Sequence, residues 1–363
     1  MLTPSALTLS DLRLRAAATS LTTQGSLTAV LATLGFVQAD PIRAPARAQD
    51  LILRQRVPGY RAGQLERRFP RLGLEEDFLY AYGFMPQETA RLLHPRPDPA
   101  QPDRPHAPTG LAAEILAVVR DRGEIHPREL EEAFGRGRAV NAWGGFSKET
   151  TQHLQVLHFH GHLRVSRRQD GIRIYAPAGP VNEAVAVAER ARRLLLLVLG
   201  LLAPISRVSL GQVFNLLRRG APGLGPWAPV LDRMIAAGEV AWDDVDGERY
   251  LWPAGSATVA APPRGLRFLA PFDPVVWDRR RLAHLWAWDY RFEAYTPPPL
   301  RRFGYYAMPM LWRDRMIGWV NLSRASGRLD VERGFAGPEP RGQDFTRAFD
   351  AEVARFEAFL GPA

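Results

Sequence analysis

The residues with the clearest capacity for chemistry stand in one short stretch, Leu34-Gly35-Phe36-Val37-Gln38-Ala39-Asp40-Pro41-Ile42. An apolar run ends in Gln38-x-Asp40 and is stopped by Pro41. Residues two apart in an extended segment point the same way, so a strand-like run puts Gln38 and Asp40 on one side and Val37 and Ala39 on the other. Pro41 also biases Asp40 towards extended geometry, because its ring crowds the helical conformation of the preceding residue. The pair is then a carboxylate beside an amide, suited to holding a water molecule near a cationic or polyanionic substrate. Arg43, Arg47, Arg54 and Arg56 follow at once, on what reads as an amphipathic helix from about Ala44 to Arg56 whose polar face carries Gln49 and Asp50. The same residues also fit a plain turn or helix N-cap at Asp40-Pro41, with Gln38 incidental.

Other chemistries are disfavoured. With no cysteine in 363 residues, disulfides, cysteine–zinc sites and thiol nucleophiles are excluded. His153, His158, His160 and His162 have no carboxylate spaced with them for metal binding, and neighbours two apart on a helix do not converge. No metal or other cofactor is expected. There is no phosphate-cradling glycine loop and no Gly-x-Ser-x-Gly elbow. The N-terminus does not read as a signal peptide. The most apolar run, Leu194 to Leu202, is short of the roughly 20 residues a membrane span needs. A cytoplasmic, nucleoid-associated protein without a membrane partner is expected. The net charge is +9, and of 47 basic residues only Lys148 is lysine. Arginine's planar fork of donors fits phosphates and guanine edges, so nucleic acid is the first partner to consider.

The elements that must position these residues read as follows. Residues 1 to 35 are helical, with an N-cap at Ser10-Asp11, a break at Gln24-Gly25-Ser26 and a C-cap at Gly35. Residues 1–107 form a helix-turn-helix or winged-helix unit carrying Gln38-x-Asp40. It includes the aromatic cluster Phe78, Tyr80, Tyr82 and Phe84, and the proline-dense stretch 94–108, read as a linker or surface loop. Residues 108–180 give three helices and a hairpin turning at Asp170-Gly171, a winged helix. Residues 181–260 repeat that order, with a helix from Ala184 to Leu202 and a hairpin turning at Asp246-Gly247. Its acidic wing (Asp243, Asp244, Asp246 and Glu248) suits a structural copy more than a DNA-reading one. A linker at 256–265 opens a C-terminal segment, 261–363, read as an antiparallel aromatic sheet covered by a helix from Phe345 to Leu360. In it, Arg279, Arg280, Arg301 and Arg302, with Tyr305, form either a phosphate-binding patch or a solvated rim paired with Asp273 and Asp289.

The chain resembles the winged-helix DNA glycosylases typified by AlkZ and YcaQ. The resemblance rests on Leu34 to Ile42 followed by Arg47 and Pro58-Gly59-Tyr60, and on Pro271-Phe272-Asp273-Pro274 to Arg281 together with Arg301-Arg302-Phe303-Gly304-Tyr305-Tyr306. Gln-x-Asp is similar to the YcaQ-like branch, where the AlkZ branch has Gln-x-Gln. The chain departs from the family in carrying Gln49-Asp50 where paired histidines usually stand. It also has Ala81-Tyr82-Gly83-Phe84-Met85 in place of a Glu-Tyr-Trp-x-His-like run. The resemblance implies an α+β fold: tandem winged-helix domains in a C-shaped arrangement with a C-terminal antiparallel β-rich domain. It implies removal of alkylated, often crosslinked, bases from double-stranded DNA, and no placed lysine points to a Schiff base, so a monofunctional enzyme is expected; a monomer is expected as well. A non-catalytic winged-helix DNA-binding protein or transcription regulator would use the same helices and charge, but has no need of a carboxylate facing DNA.

Overall fold

The structure is a computed structural model that describes residues 7–21, 25–135, 137–140, 146–180, 185–256, 263–325 and 328–362. The expected starts of the repeat at Asn182 and of its first helix at Ala184, and most of the 256–265 linker, lie outside the described residues. The fold is α+β with antiparallel sheets. The chain divides into two compact units: Met1–Leu65 with Leu195–Phe214 and Ala228–Ala363, and Glu66–Leu194 with Asn215–Trp227. Among the described residues no helix is long and apolar enough to cross a membrane.

In the first unit, the Leu9–Leu21 helix is capped two residues before Ser10. Thr8 is the cap: its Oγ1 accepts from the Asp11 amide at 3.2 Å, and its own amide donates to Asp11 Oδ2 at 2.8 Å, a reciprocal capping pattern. Leu27–Leu34 is capped by Ser26 and ends at Gly35 with φ +65°. A Cβ at Gly35 would also lie 2.7 Å from the Leu197 side chain, so this position needs glycine for both backbone sign and space. The two-residue strand Val37–Gln38 follows directly.

The expected Ala44–Arg56 amphipathic helix is instead a short helix, Ala48–Leu53, with all six residues buried, Gln49 and Asp50 included. Its polar residues turn inward because each has a partner there. Tyr60 Oη donates to Asp50 Oδ1 at 2.8 Å, and Gln49 supports the Asp40 backbone, as described below.

A four-stranded antiparallel sheet, Leu266–Phe268, Met308–Trp312, Arg315–Ala325 and Arg328–Phe335 in that order, carries the C-terminal half of this unit. The Gln343–Leu360 helix lies on it through buried Phe345, Phe349, Phe356 and Phe359. Residues 269–306 are not sheet, contrary to the aromatic alternation. Asp273 and Asp278 each accept a backbone amide and start helices, Pro274–Trp277 and Arg279–Trp286. A long loop then runs to Ala307. The core joins Leu12, Ala16 and Leu21 to Val275, Leu282, Trp288, Phe303 and Leu311, apolar burial being the main favourable term.

The second unit holds the hairpin Leu74–Phe78 with Tyr82–Pro86, a small hairpin of Pro97–Asp98 with Gln101–Pro105 in the proline-dense stretch, and three helices. The helices, Gly110–Arg122, Pro127–Phe134 and Glu149–Phe159, precede the hairpin Leu163–Gln169 with Ile172–Pro177. The order helix, helix, helix, hairpin recurs as Val187–Leu202, Arg207–Gly220, Trp227–Ala236 and Val240–Val245 with Glu248–Pro253. The hairpins turn alike, with φ +51° at both Asp170 and Asp246, the left-handed turn geometry that suits strand twist. The second set adds a third strand, Ile205–Ser206, on Glu248–Pro253. Its first two helices pass from one unit to the other.

Candidate active site

Asp40 stands two residues past the short strand and is half-buried. Its Oδ1 accepts the Ile42 amide at 2.9 Å, bridging Pro41 as an Asx-type turn. Its own amide donates to Gln49 Oε1 at 3.3 Å. The turn at Asp40-Pro41 is present and holds one carboxylate oxygen, and Oδ2 has no hydrogen-bond partner among the described residues. Burial raises the Asp40 pKa above its ordinary 3.8, opposed only by the Ile42 amide. The unprotonated form is thus held in a setting that disfavours it, a condition common at functional carboxylates.

Gln38 stands two residues earlier, with Oε1 buried and unbonded. Buried polar atoms are satisfied in the great majority of cases, so an acceptor left open two residues from a half-buried carboxylate is a specific feature. Two residues that sequence reading missed complete the group. Burial, and then the Asp40 charge, raise the pKa of both Tyr295 and Tyr306. Tyr306 is buried with its hydroxyl unbonded, whereas Tyr295 is 80% exposed. Phe292 joins them, its ring centroid 6.1 Å from Tyr295 and 5.4 Å from Tyr306. No local pattern links residue 40 to residues 295 and 306. The one available hint was tyrosine density at the end of the second resembling segment.

The loop bearing these tyrosines is fixed from below. Buried Glu293 accepts the Phe303 amide at 2.7 Å, Asn321 Nδ2 donates to the Phe303 carbonyl at 2.7 Å, and Tyr290 Oη donates to the Ala307 carbonyl at 2.7 Å. Gly304 has φ +113°, and a Cβ there would lie 2.3 Å from Asn321. Tyr305 is exposed, with the Arg301 guanidinium 5.1 Å from its ring centre, a cation–π distance.

The expected DNA-gripping arginines divide sharply. Arg43 and Arg302 are exposed, Arg301 is half-buried with Nε donating to the Thr296 carbonyl at 2.8 Å, and Arg47 is half-buried at the start of the Ala48–Leu53 helix. Arg54 and Arg56 are internal. Arg56 grips Asp273 with two bonds of 2.8 and 2.9 Å, and Arg54 bonds Glu352 at 2.9 Å beneath the Phe356 ring. Both are bonded to carboxylates of this chain, and those partners lie 217 and 298 residues away. Arg279 also turns inward, onto the Val276 and Pro271 carbonyls and the Tyr290 ring. Arg280 is exposed but held by Glu248. Arg281 is buried on the carbonyls of Leu202 and Pro204. Neither the patch nor the rim reading describes the group: Asp273 serves Arg56, and Asp289 pairs with Arg291 at 3.1 Å. The acidic wing is partly neutralised within its own unit, Asp244 by Arg249 and Glu248 by Arg280.

His158, in the second unit, is a packing residue: its Nε2 lies 2.8 Å from the Glu76 carbonyl. His162 is 3.2 Å from His106. Among the described residues no three metal-ligating side chains converge.

The family described as AlkZ-like, DNA glycosylase AlkZ-like, has a model that matches residues 31–359. The solved structure of Streptomyces sahachiroi DNA glycosylase AlkZ superposes with a TM-score of 0.63, covering 98% of this chain and 99% of that chain at 16% identity. At that identity the superposition is a statement about the fold.

Proposed function

The chain belongs to the AlkZ-like DNA glycosylase family, and we propose that it hydrolyses the N-glycosidic bond of alkylated purines in double-stranded DNA, N7-alkylguanine and its interstrand crosslinks included, with Asp40 and Gln38 as catalytic residues. N7-alkylation places a positive charge on the base and weakens the bond to the sugar. The enzyme then has to stabilise an oxocarbenium-like sugar and deliver a water to C1′. Ionised Asp40 opposes the developing charge, and its unbonded Oδ2 takes the proton of the attacking water. The Gln38 amide holds that water without adding charge. Tyr306, kept protonated by its raised pKa, is available as a neutral donor, and exposed Tyr295 offers a ring on which a nucleobase can stack.

No lysine is placed for a Schiff base, so the product is an abasic site from a monofunctional enzyme, which acts as a monomer. An open groove suits a crosslink better than base flipping, since a bulky lesion resists extrusion. The sequence segments 1–107, 108–180, 181–260 and 261–363 serve as its working parts. Arg43, Arg47, Arg301 and Arg302, with Tyr305, contact the DNA backbone, so binding weakens steeply with salt.

The observation that carries this reading is the carboxylate of Asp40: half-buried, raised in pKa, tethered at one oxygen and two residues from an unsatisfied amide oxygen. The test incubates the protein with duplex containing N7-methylguanine or a nitrogen-mustard crosslink, followed by alkali. Strand scission by wild type and not by Asp40→Asn is expected, with no borohydride-trapped adduct. Tight duplex binding without scission by either protein would return the chain to a non-catalytic DNA-binding role.

A further inference from the structure

The first unit contains a cavity of about 420 Å³ whose lining includes Arg54, Arg56, Arg61, Arg267, Arg355 and Phe359. Five guanidinium groups meet two carboxylates there. Asp273 is taken by Arg56, while Glu352 is shared by Arg54 at 2.9 Å and Arg355 at 2.5 Å. Arg267 has no carboxylate of its own: its Nη1 donates to the Gln55 carbonyl at 2.9 Å and to Gln55 Oε1 at 3.3 Å. Arg61 is exposed at the rim.

Two donors in this lining, Arg54 Nε and Arg267 Nε, are buried without an acceptor. Leaving a buried donor unmade costs about 1–3 kcal/mol, more for a charged group. Burial depresses the pKa of both arginines, as expected of cations without enough compensating charge. A cavity lined by more guanidinium than carboxylate groups calls for an anion rich in acceptors.

From these observations we propose that the cavity is a binding site for a phosphate-class anion, distinct from the Gln38 and Asp40 group. A carboxylate offers two oxygens, whereas a phosphate offers more and meets several arginine forks at once. The cavity has room for a phosphate ester with part of what it is attached to. That ester is either a backbone phosphodiester of nucleic acid or a free phosphorylated small molecule.

The full-length protein is unfolded by heat in rising sodium pyrophosphate and, at matched ionic strength, in sodium chloride. A saturable rise in Tm specific to pyrophosphate is expected. Arg61→Gln, a change at an exposed rim residue, weakens the apparent pyrophosphate affinity by about tenfold, the value of one charge-assisted bond. Arg267→Gln combined with it removes the saturable rise while leaving the anion-free Tm close to wild type. Equal stabilisation by the two salts, or undiminished saturation in the Arg61→Gln protein, overturns the proposal.

Undamaged duplex separates the two sources. If a backbone phosphate enters the cavity, pyrophosphate displaces duplex beyond its ionic-strength effect, and the double variant lowers the log K against log salt slope by about one. If the ligand is a free phosphate ester, duplex affinity is the same in wild type and double variant. The readout is heat stability and binding, so it stands apart from base excision.

Discussion

Asp40 and Asp77 are both withdrawn from water, and the protein treats them in opposite ways. For Asp77, in the second unit, burial alone would raise the pKa, but Arg96 and then His94 outweigh it and drive the value far down. Arg96 bonds Asp77 at 3.0 Å, and His94 Nε2 lies 2.7 Å away. Arg96 itself is fully buried and spends its remaining donors on the carbonyls of Gly220, Phe78 and Phe159. Asp40 has one amide and no cation to oppose its burial, and its pKa goes up. A charge surrounded by partners is a fastening, whereas a charge left short of them is held ready for a partner that arrives from outside.

The sharpest way to break this comparison is Asp40→Asn. Activity on N7-methylguanine duplex is expected to fall by about 10²–10⁴-fold, the range for a positioned base or charge-stabilising group. Tm in the same preparation should stay level or rise, because a disfavoured buried charge has gone. A fall in Tm would place Asp40 among the fastenings. Next in size is Arg96→Gln, which strands a buried carboxylate. Denaturant unfolding should show a loss of about 3–5 kcal/mol. A change near zero would mean that Asp77 does not depend on its cation.

Acid comes third, and here His158 and Asp40 respond with opposite sign. Burial holds the His158 pKa at about 4 against 6.5 unfolded, so between those values the unfolded chain binds more protons. Stability is therefore lost as pH falls from 6.5 towards 4, by up to about 3 kcal/mol at 1.36 kcal/mol per pKa unit. The raised pKa of Asp40 works the other way, since protonating it on acidification relieves a cost in the folded state. Activity nevertheless needs the ionised form, so its acid limb should sit above 3.8. A pH–rate profile and a pH series of Tm values check both. The smallest effect is Tyr306→Phe. Removing an unbonded hydroxyl should leave stability within about 1 kcal/mol, with less than a tenfold loss of activity if Tyr306 only assists.

The comparison also explains what could be read in advance. The Gly35 cap, the three helices with their hairpin and the repeat of that order are all local patterns: periodicity, capping residues and Asp-Gly turns. Arg54, Arg56 and Arg279 were expected at a DNA surface because charge alone does not report burial, and the carboxylates that bury Arg54 and Arg56 lie hundreds of residues away in sequence. Aromatic alternation across residues 269–306 suggested strands, but Asp273 and Asp278 capped helices there instead. Tyr295 and Tyr306 could not be connected to Asp40 from the sequence, since only the fold brings that loop to the strand end.

The amide of Ile42 latches one oxygen of Asp40 across Pro41. The carboxylate therefore cannot rotate to exchange its two oxygens without opening the turn. Whatever is deprotonated there is approached from one fixed direction, giving the site a handedness set by its own backbone. Lengthening the arm by one methylene, as in Asp40→Glu, would keep the charge but lose the latch, and so would separate the need for a negative charge from the need to aim it.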